Sequence, residues 1–426
     1  MPNFLDKLTW RGLVHQTTDD ALGDWLENEP RTVYAGFDPT ADSLHVGSLL
    51  GLIVLRRFQQ AGHQPIAVVG GATGMIGDPS GKSDERNLLS KEDLQKNVDG
   101  LATQMQRFLD FDCGANSAKL VNNYDWTGSW SYLEFLRDIG KNFPVNVMLG
   151  KDSVKSRLGS DAGMSYTEFS YMLLQAYDFV HLHREHGCDL QAGGSDQWGN
   201  ITAGIDLGRR MHGAQLYGMT WPLLTKSDGT KMGKTESGAI WLSAERTSPY
   251  QFYQYWKRTD DADVGKCLRM LTELSREEID SLDTAREQDA ARRESQTRLA
   301  EELTRLVHGE EGLVAAERAT QIFFGAEIED LDDAQLGSIF ADVPSSEVSV
   351  GRLGAADFTI VDALVTAGLA KSKSDARRTV DSGGAYVNNR RIAEASLVLS
   401  AEHLASKTVM VLRSGKKKYA LLRFAE

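Results

Sequence analysis

Two segments far apart in this sequence offer complementary chemistry, an anion site and a pair of cations. The first runs Tyr34-Ala35-Gly36-Phe37-Asp38-Pro39-Thr40 and then His45-Val46-Gly47-Ser48, from the end of an apolar stretch into the start of an amphipathic one. At a helix mouth, free N–H groups and the helix dipole favour an anion, Gly47 permits close approach and His45 adds a donor. A capped turn with a solvent-facing histidine would carry the same residues. The second segment, Lys231-Met232-Gly233-Lys234-Thr235, flanks a glycine with two lysines. Such a loop can close over a polyphosphate and neutralise charge as it develops.

Three further segments could line a pocket between them. Gly74 to Ser83 ends Gly-Lys-Ser, but a P-loop needs glycine five positions before Gly81 and Ile76 stands there. The loop is better suited to turning sharply past a small ligand, with Asp78 offering a carboxylate to a cation such as an amino group. Tyr171, Gln175 and Asp178 follow i, i+4, i+7 spacing and share one helix face. Gly193 to Asn200 leaves a strand and enters a helix, which places Asp196 where a ribose hydroxyl would sit. His181, His183, His186 and Cys188 are the one metal-like cluster, and their spacing matches no standard zinc site.

The elements that must position these residues alternate. Strands are predicted at Arg31–Phe37, Pro65–Val69, Lys119–Asn123 and Asp189–Ala192. Helices are predicted at Val46–Gln60, from a Ser90/Asp93 capping box to about Phe111, at Tyr132–Ile139, Tyr166–His183 and Gln197–Met211. This order predicts an α/β fold with a Rossmann-type, doubly wound parallel sheet in a domain spanning 1–247, whose ligands gather at the carboxyl ends of the strands. Pro249 to about Phe324 is helical and charged, giving an α-helical domain at 248–329. Asp330–Val350 has acids, Pro344 and serines but no Lys or Arg, and is expected to be part of a solvated acidic linker covering 330–355. A small basic α+β module is expected at 356–426.

Length and charge fit this division. The 426 residues leave room for two or three domains, and 41% hydrophobic with 25% charged residues is an ordinary globular mix. The formal net charge of −13 argues against phosphate binding on average, yet residues 351–426 hold 13 Lys and Arg against 7 Asp and Glu. The tail module is therefore basic and the body acidic. Three well-separated cysteines write neither a disulfide framework nor a CxxC pair, and no signal-like segment opens the chain, so a cytoplasmic location is expected.

Taken together, the segments resemble bacterial tyrosyl-tRNA synthetases, over essentially the whole chain. His45-Val46-Gly47-Ser48 is similar to the HIGH signature of class I synthetases, with Ser48 in place of the last histidine. Lys231 to Thr235 is similar to the KMSKS loop, with Gly233 and Thr235 in place of its serines. The resemblance implies that Tyr34 and Asp178 bind a tyrosine phenol, that Asp78, Tyr171 and Gln175 hold its ammonium, and that Gln197 meets its carboxylate. It implies ATP contacts from Gly36, Asp38, Gly47, Ser48, Asp196 and Lys234, and catalytic assistance from Thr40, His45, Lys82, Arg86, Lys231, Lys234 and Thr235. The tail resembles an S-four-type RNA-binding domain that would meet phosphates through Lys373, Arg377 and Arg378, and the helical domain would contact the anticodon region.

The implied substrates are L-tyrosine, ATP with Mg2+ and a tyrosine-specific tRNA. The implied assembly is a homodimer, with no membrane partner and no tightly bound protein metal. Because a tyrosine carboxylate is already ionised at pH 7, no protein nucleophile is required. Three other readings compete: a tryptophanyl-tRNA synthetase, a noncatalytic RNA-binding protein on a synthetase scaffold, and an adenylyltransferase for a small metabolite. Tyr34 with Asp178 and the basic tail argue against the first, the retained lysines and carboxylates against the second, and the tail against the third.

Overall fold

The computed structural model describes residues 3–80, 89–159, 163–235, 238–341 and 343–425. Lys82 and Arg86 lie outside the described residues. Contacts divide the chain into two compact units, one of residues 1–247 and 256–307, the other of residues 248–255 and 308–426.

The first unit is built on a six-stranded sheet. Its strands are β1 (Gln16–Thr17), β2 (Thr32–Phe37), β3 (Gln64–Val69), β4 (Lys119–Asn122), β5 (Cys188–Gly194) and β6 (Tyr217–Trp221), in the order β1-β6-β5-β2-β3-β4. All neighbours are parallel except β1 with β6. The chain reverses direction of growth between β2 and β5, the switch point at which an open α/β sheet leaves a crevice. β2 and β3 are apolar along nearly their whole length, as strands covered on both faces must be.

Two helices set the walls of that crevice. Val46–Gln60 begins directly after the β2 loop and buries Leu49, Leu50, Ile53 and Val54 against the sheet. Tyr166–His186 starts where Ser165 accepts the Glu168 N–H and stops at Gly187, which is left-handed at φ 60°. Its first turn is pinned by a buried ion pair, Arg157 to Glu168 at 2.6 Å. The Ser90 cap also forms, but its helix ends at Met105 instead of near Phe111.

The expected division of the second half needs correction. Trp256–Val307 belongs to the first unit: Arg57 donates to the Thr272 carbonyl at 2.5 Å and pairs with Glu273 at 3.1 Å. The helical run Glu294–Phe323 is interrupted at Gly309, whose φ of 75° is not helical, next to the point where the units divide. Nor is 330–355 a solvated linker. Asp333–Ile339 is a capped helix burying Leu336, Phe340 is buried behind it, and Ser345–Ser349 is a strand, β9, paired in parallel with the last strand, β13 (Lys418–Ala425).

With the hairpin β7 (Lys234–Thr235) and β8 (Gly238–Ala239) in the first unit, the remaining strands are β10 (Ala385–Val387), β11 (Arg390–Arg391) and β12 (Val409–Ser414). They complete a five-stranded sheet in the order β11-β10-β12-β13-β9. Helices Ile360–Thr366 and Lys373–Asp381 share a core with this sheet through Phe358, Leu364, Val380, Met410, Leu412 and Leu422.

Candidate active site

A cavity of about 280 Å³ opens at the carboxyl ends of β2, β3 and β5. Its walls include Tyr34, Gly36, Asp38, Thr40, His45, Gly47, Ser48, Asp78, Tyr171, Gln175, Asp178, Asp196 and Gln197. Residues from four separate stretches of sequence therefore meet in one place. Lys231, Lys234 and Thr235 are not in its wall; they are exposed on and beside the β7–β8 hairpin.

One end of the cavity is dry and densely bonded. Asp178 is 3% exposed, with Oδ2 accepting from Asn123 Nδ2 at 2.9 Å and Oδ1 from Trp126 Nε1 at 2.8 Å. Burial drives its carboxyl up to about 7, against the pull of those two hydrogen bonds. Tyr34, at the middle of β2, is 1% exposed, and burial followed by the nearby Asp178 charge pushes its phenol well above the ordinary value. The Tyr34 hydroxyl has no hydrogen-bond partner, and neither do Oε1 of Gln175 or Oε1 of Gln191. An unpaired buried polar atom costs about 1–3 kcal/mol, so three of them around a cavity mark a surface shaped to a polar ligand.

Next to this end lies a chain of polar groups. Gln197 donates to Asp78 Oδ2 at 2.6 Å and accepts from Gln175 at 3.2 Å and from Asn200 at 3.1 Å. Tyr171 donates to Asp38 Oδ2 at 3.0 Å while Thr73 holds Asp38 Oδ1 at 2.8 Å. Asp38, expected among the nucleotide contacts, is thus joined to Tyr171, expected at the ammonium. Burial, then Asp38 and Asp78, and more weakly Asp178, raise the Tyr171 phenol well above its usual range. Three carboxylates around one space give it a potential suited to an ammonium group.

The other end is formed by main chain. The helix Val46–Gln60 has no side-chain cap at its N-terminus, where the Val46 N–H is taken by a backbone carbonyl and the Ser48 N–H by the His45 carbonyl at 2.8 Å. A Cβ on Gly47 would stand 2.8 Å from His45 Cε1, so glycine there lets the imidazole lie across the helix mouth. The lysine hairpin is fastened to the same place. Val46 donates to the Ile240 carbonyl at 3.0 Å, Leu242 to Leu44 at 2.8 Å and Ile240 to Gly233 at 2.8 Å. Gly233 sits at φ 80° with Val46 against it, and a Cβ would come within 2.8 Å of Val46 Cβ. Glycine in place of the signature serine therefore answers a local geometric demand. Met232 anchors the hairpin from below, buried against the Cys267 thiol at 3.6 Å.

Asn123, Trp126 and Gln191 are cavity-end residues that the sequence reading missed. Asn123 follows the carboxyl end of β4, so the strand-end rule that singled out Asp196 would have found it. Gln191 is a buried polar residue between Leu190 and Ala192 in β5, another usable signal. The His/Cys cluster does not converge: His181 stacks on Trp126, His183 contacts Asp189 at 2.7 Å, and the buried Cys188 thiol meets backbone carbonyls of Thr32 and Leu190. Among the described residues no group of three His, Cys, Asp or Glu could hold a metal ion, and no helix is long and apolar enough to cross a membrane.

Comparison with known proteins decides the family. Residues 26–325 match the model of class I tRNA synthetases (W and Y), and residues 335–422 match the tyrosine–tRNA ligase SYY-like C-terminal domain. The chain is 61% identical to the tyrosine–tRNA ligase of Rhodopirellula baltica, across 100% of this chain and 97% of the relative. It belongs to the tyrosyl-tRNA synthetases. The Geobacillus stearothermophilus tyrosine–tRNA ligase is 52% identical over 99% of this chain and its own whole length. A solved relative, the C-terminally truncated mitochondrial tyrosyl-tRNA synthetase of Aspergillus nidulans, superposes with a TM-score of 0.67 at 32% identity, covering 75% of this chain and 94% of that one. The Plasmodium falciparum tryptophanyl-tRNA synthetase shares the fold at 15% identity and a TM-score of 0.53, over 78% of this chain and 87% of its own. The tyrosyl family, and not its tryptophanyl cousin, is the chain's own.

In that family's C-terminal part, the expected RNA-contacting side chains are all exposed on or beside one helix, but they are not equivalent. Lys373 pairs with Asp362 at 2.6 Å. Burial works against ionisation of Asp362, yet hydrogen bonds from Lys373 and Thr359 hold it down to about 2. Arg378 faces Asp375 at 3.7 Å.

Proposed function

We propose that this chain activates L-tyrosine with ATP, releasing pyrophosphate, and then transfers the tyrosyl group to the 3′-terminal ribose of a tyrosine-specific tRNA. The observation that carries this reading is the Tyr34 hydroxyl, buried without a partner in the same cavity wall as Asp178. A phenol placed there pairs with both groups, whereas a phenylalanine ring leaves the Tyr34 hydroxyl without a partner.

Asp78, Tyr171 and Gln175 surround the substrate ammonium, and Gln197 stands beside its carboxylate. That carboxylate attacks the α-phosphorus of ATP, forming the acyl phosphate bond as the bond to the bridging oxygen breaks and pyrophosphate departs. Asp196 holds the ribose, and Gly36, Asp38, Gly47 and Ser48 line the nucleotide path. Thr40 and His45 meet the terminal phosphates at the uncapped helix mouth, and Lys231, Lys234 and Thr235 close from the hairpin as charge moves onto the leaving group. Magnesium enters as the counter-ion of ATP and belongs to the substrate. In the second step a ribose hydroxyl attacks the tyrosyl carbonyl and AMP leaves.

Lys373, Arg377 and Arg378 contact RNA phosphates, which fits the basic tail. A homodimer fits the crowding of exposed apolar side chains between 132 and 149: Tyr132 at 63%, Leu133 at 76% and Val145 at 59% exposure. A cytoplasmic location fits this activity. The test is pyrophosphate–ATP exchange by the purified protein with magnesium and no tRNA, comparing tyrosine, tryptophan and phenylalanine. Exchange with tyrosine alone is expected; exchange driven by tryptophan, or none from folded protein, overturns the reading.

A further inference from the structure

We infer that His181 is a positioning residue for the phenol end of the pocket: it fixes the plane of Trp126 and so aims that indole's N–H at Asp178. The inference rests on the reading of Asp178 as the acceptor for the substrate phenol.

The geometry is a two-point clamp from one helix. Asp178 and His181 are three residues apart on Tyr166–His186 and therefore share a face. Asp178 takes the indole N–H at 2.8 Å, and His181 lies flat on the same ring system, centroids 4.4 Å apart and planes within 14°. An indole donates in its own plane, so the tilt of that plane decides whether the N–H reaches Asp178 Oδ1. Trp126 cannot set this tilt from its own segment. It sits on the short helix Tyr124–Thr127, where Tyr124, Asp125, Gly128 and Ser129 are exposed. The ring is ordered by what it packs on, namely the cluster around Tyr34 and Phe179 together with the His181 imidazole.

The other Asp178 partner needs no such help. Asn123 is tied by its backbone N–H to the Val69 carbonyl, by its Oδ1 to the Ala72 N–H at 2.7 Å, and by its Nδ2 to Thr73 at 3.0 Å. One oxygen of Asp178 is thus held by a fully tethered donor and the other by a donor that depends on stacking. His181, which the sequence reading placed in a metal-like cluster, acts instead through its ring face. Its replacement should be felt in tyrosine binding and not in phosphate chemistry.

The experiment compares full-length wild type, His181→Leu and His181→Phe in tyrosine-dependent pyrophosphate–ATP exchange. Loss of the stacked ring in His181→Leu should raise KM for tyrosine about three- to tenfold, with kcat and KM for ATP within about twofold of wild type. His181→Phe, which keeps a flat ring, should restore KM. In a Trp126→Phe background, which has no N–H to aim, His181→Leu should add nothing further. An unchanged tyrosine KM in His181→Leu, equal damage to KM for ATP, or additivity with Trp126→Phe overturns the inference while leaving the tyrosine reading intact. A wild-type protein indifferent to tyrosine overturns both.

Discussion

The two ends of the cavity are built on opposite plans. Around Asp178, side chains from β2, the end of β4 and the helix Tyr166–His186 are buried, and Asp178 is already bonded to Asn123 and Trp126. Around Gly47, main-chain hydrogen bonds hold the frame, while Lys231, Lys234 and Thr235 stay exposed. Choosing a phenol demands a preset, water-poor geometry in which a mismatch leaves polar atoms unpaired. Stabilising a departing pyrophosphate demands cations that can approach and withdraw as the charge appears. On the proposed function, selectivity and rate fall in structurally separate parts of one site.

This contrast can be broken in four ways, in decreasing order of effect. Lys234→Ala should lower kcat for pyrophosphate exchange by about 100- to 1000-fold and leave KM for tyrosine nearly unchanged. A large rise in tyrosine KM would show that the ends are not separate. Asp178→Ala should lower kcat/KM for tyrosine on the order of 100-fold while KM for ATP holds, and unaltered tyrosine kinetics would remove Asp178 from the pocket.

Gly233→Ala forces a side chain to φ 80° and against Val46. A fall in kcat of roughly tenfold is expected, visible in single-turnover adenylate formation, again without change in tyrosine affinity. The smallest effect is that of pH. Because the Asp178 carboxyl is pushed up to about 7, acidification through that point removes the charge that accepts the phenol. KM for tyrosine should rise by up to about tenfold per unit below that pH, and Asp178→Asn should flatten the profile. The same upward shift means that the fold keeps this group's full contribution only below the unfolded carboxyl value of about 4, and loses it as pH rises through about 7. Thermal unfolding across that window reads this directly.

Much of the first unit was legible because its signals are local. Strand-end loops, the Ser90 cap and the i, i+4, i+7 face of Tyr171, Gln175 and Asp178 each declare themselves within a dozen residues. The sharing of Asp178 between Asn123 and Trp126 was not legible, since it joins segments more than 50 residues apart and uses side chains that look ordinary in sequence. The stretch from 330 to 355 failed for a related reason. Leu336, Phe340 and Val348 are sparse among acids and serines, and their burial follows only once β9 has β13 to pair with, at the far end of the chain. Sequence also misplaced residues 256–307, whose helical, charged composition matches that of residues 308–324, although Arg57 and Arg11 bind the turn around Thr272 into the first unit.

The backbone stitch between Leu44–Val46 and Ile240–Leu242 also bears on how the protein is made. A chain emerging from the ribosome carries its histidine-bearing helix mouth early, but the segment that braces it is synthesised nearly 200 residues later. Until Leu242 has emerged, the phosphate end has no partner to rest on, while most of the phenol end, complete once β5 is paired, can already be assembled. A chain halted between β5 and β8 therefore carries the residues gathered around Asp178 but lacks the backbone brace of the helix mouth.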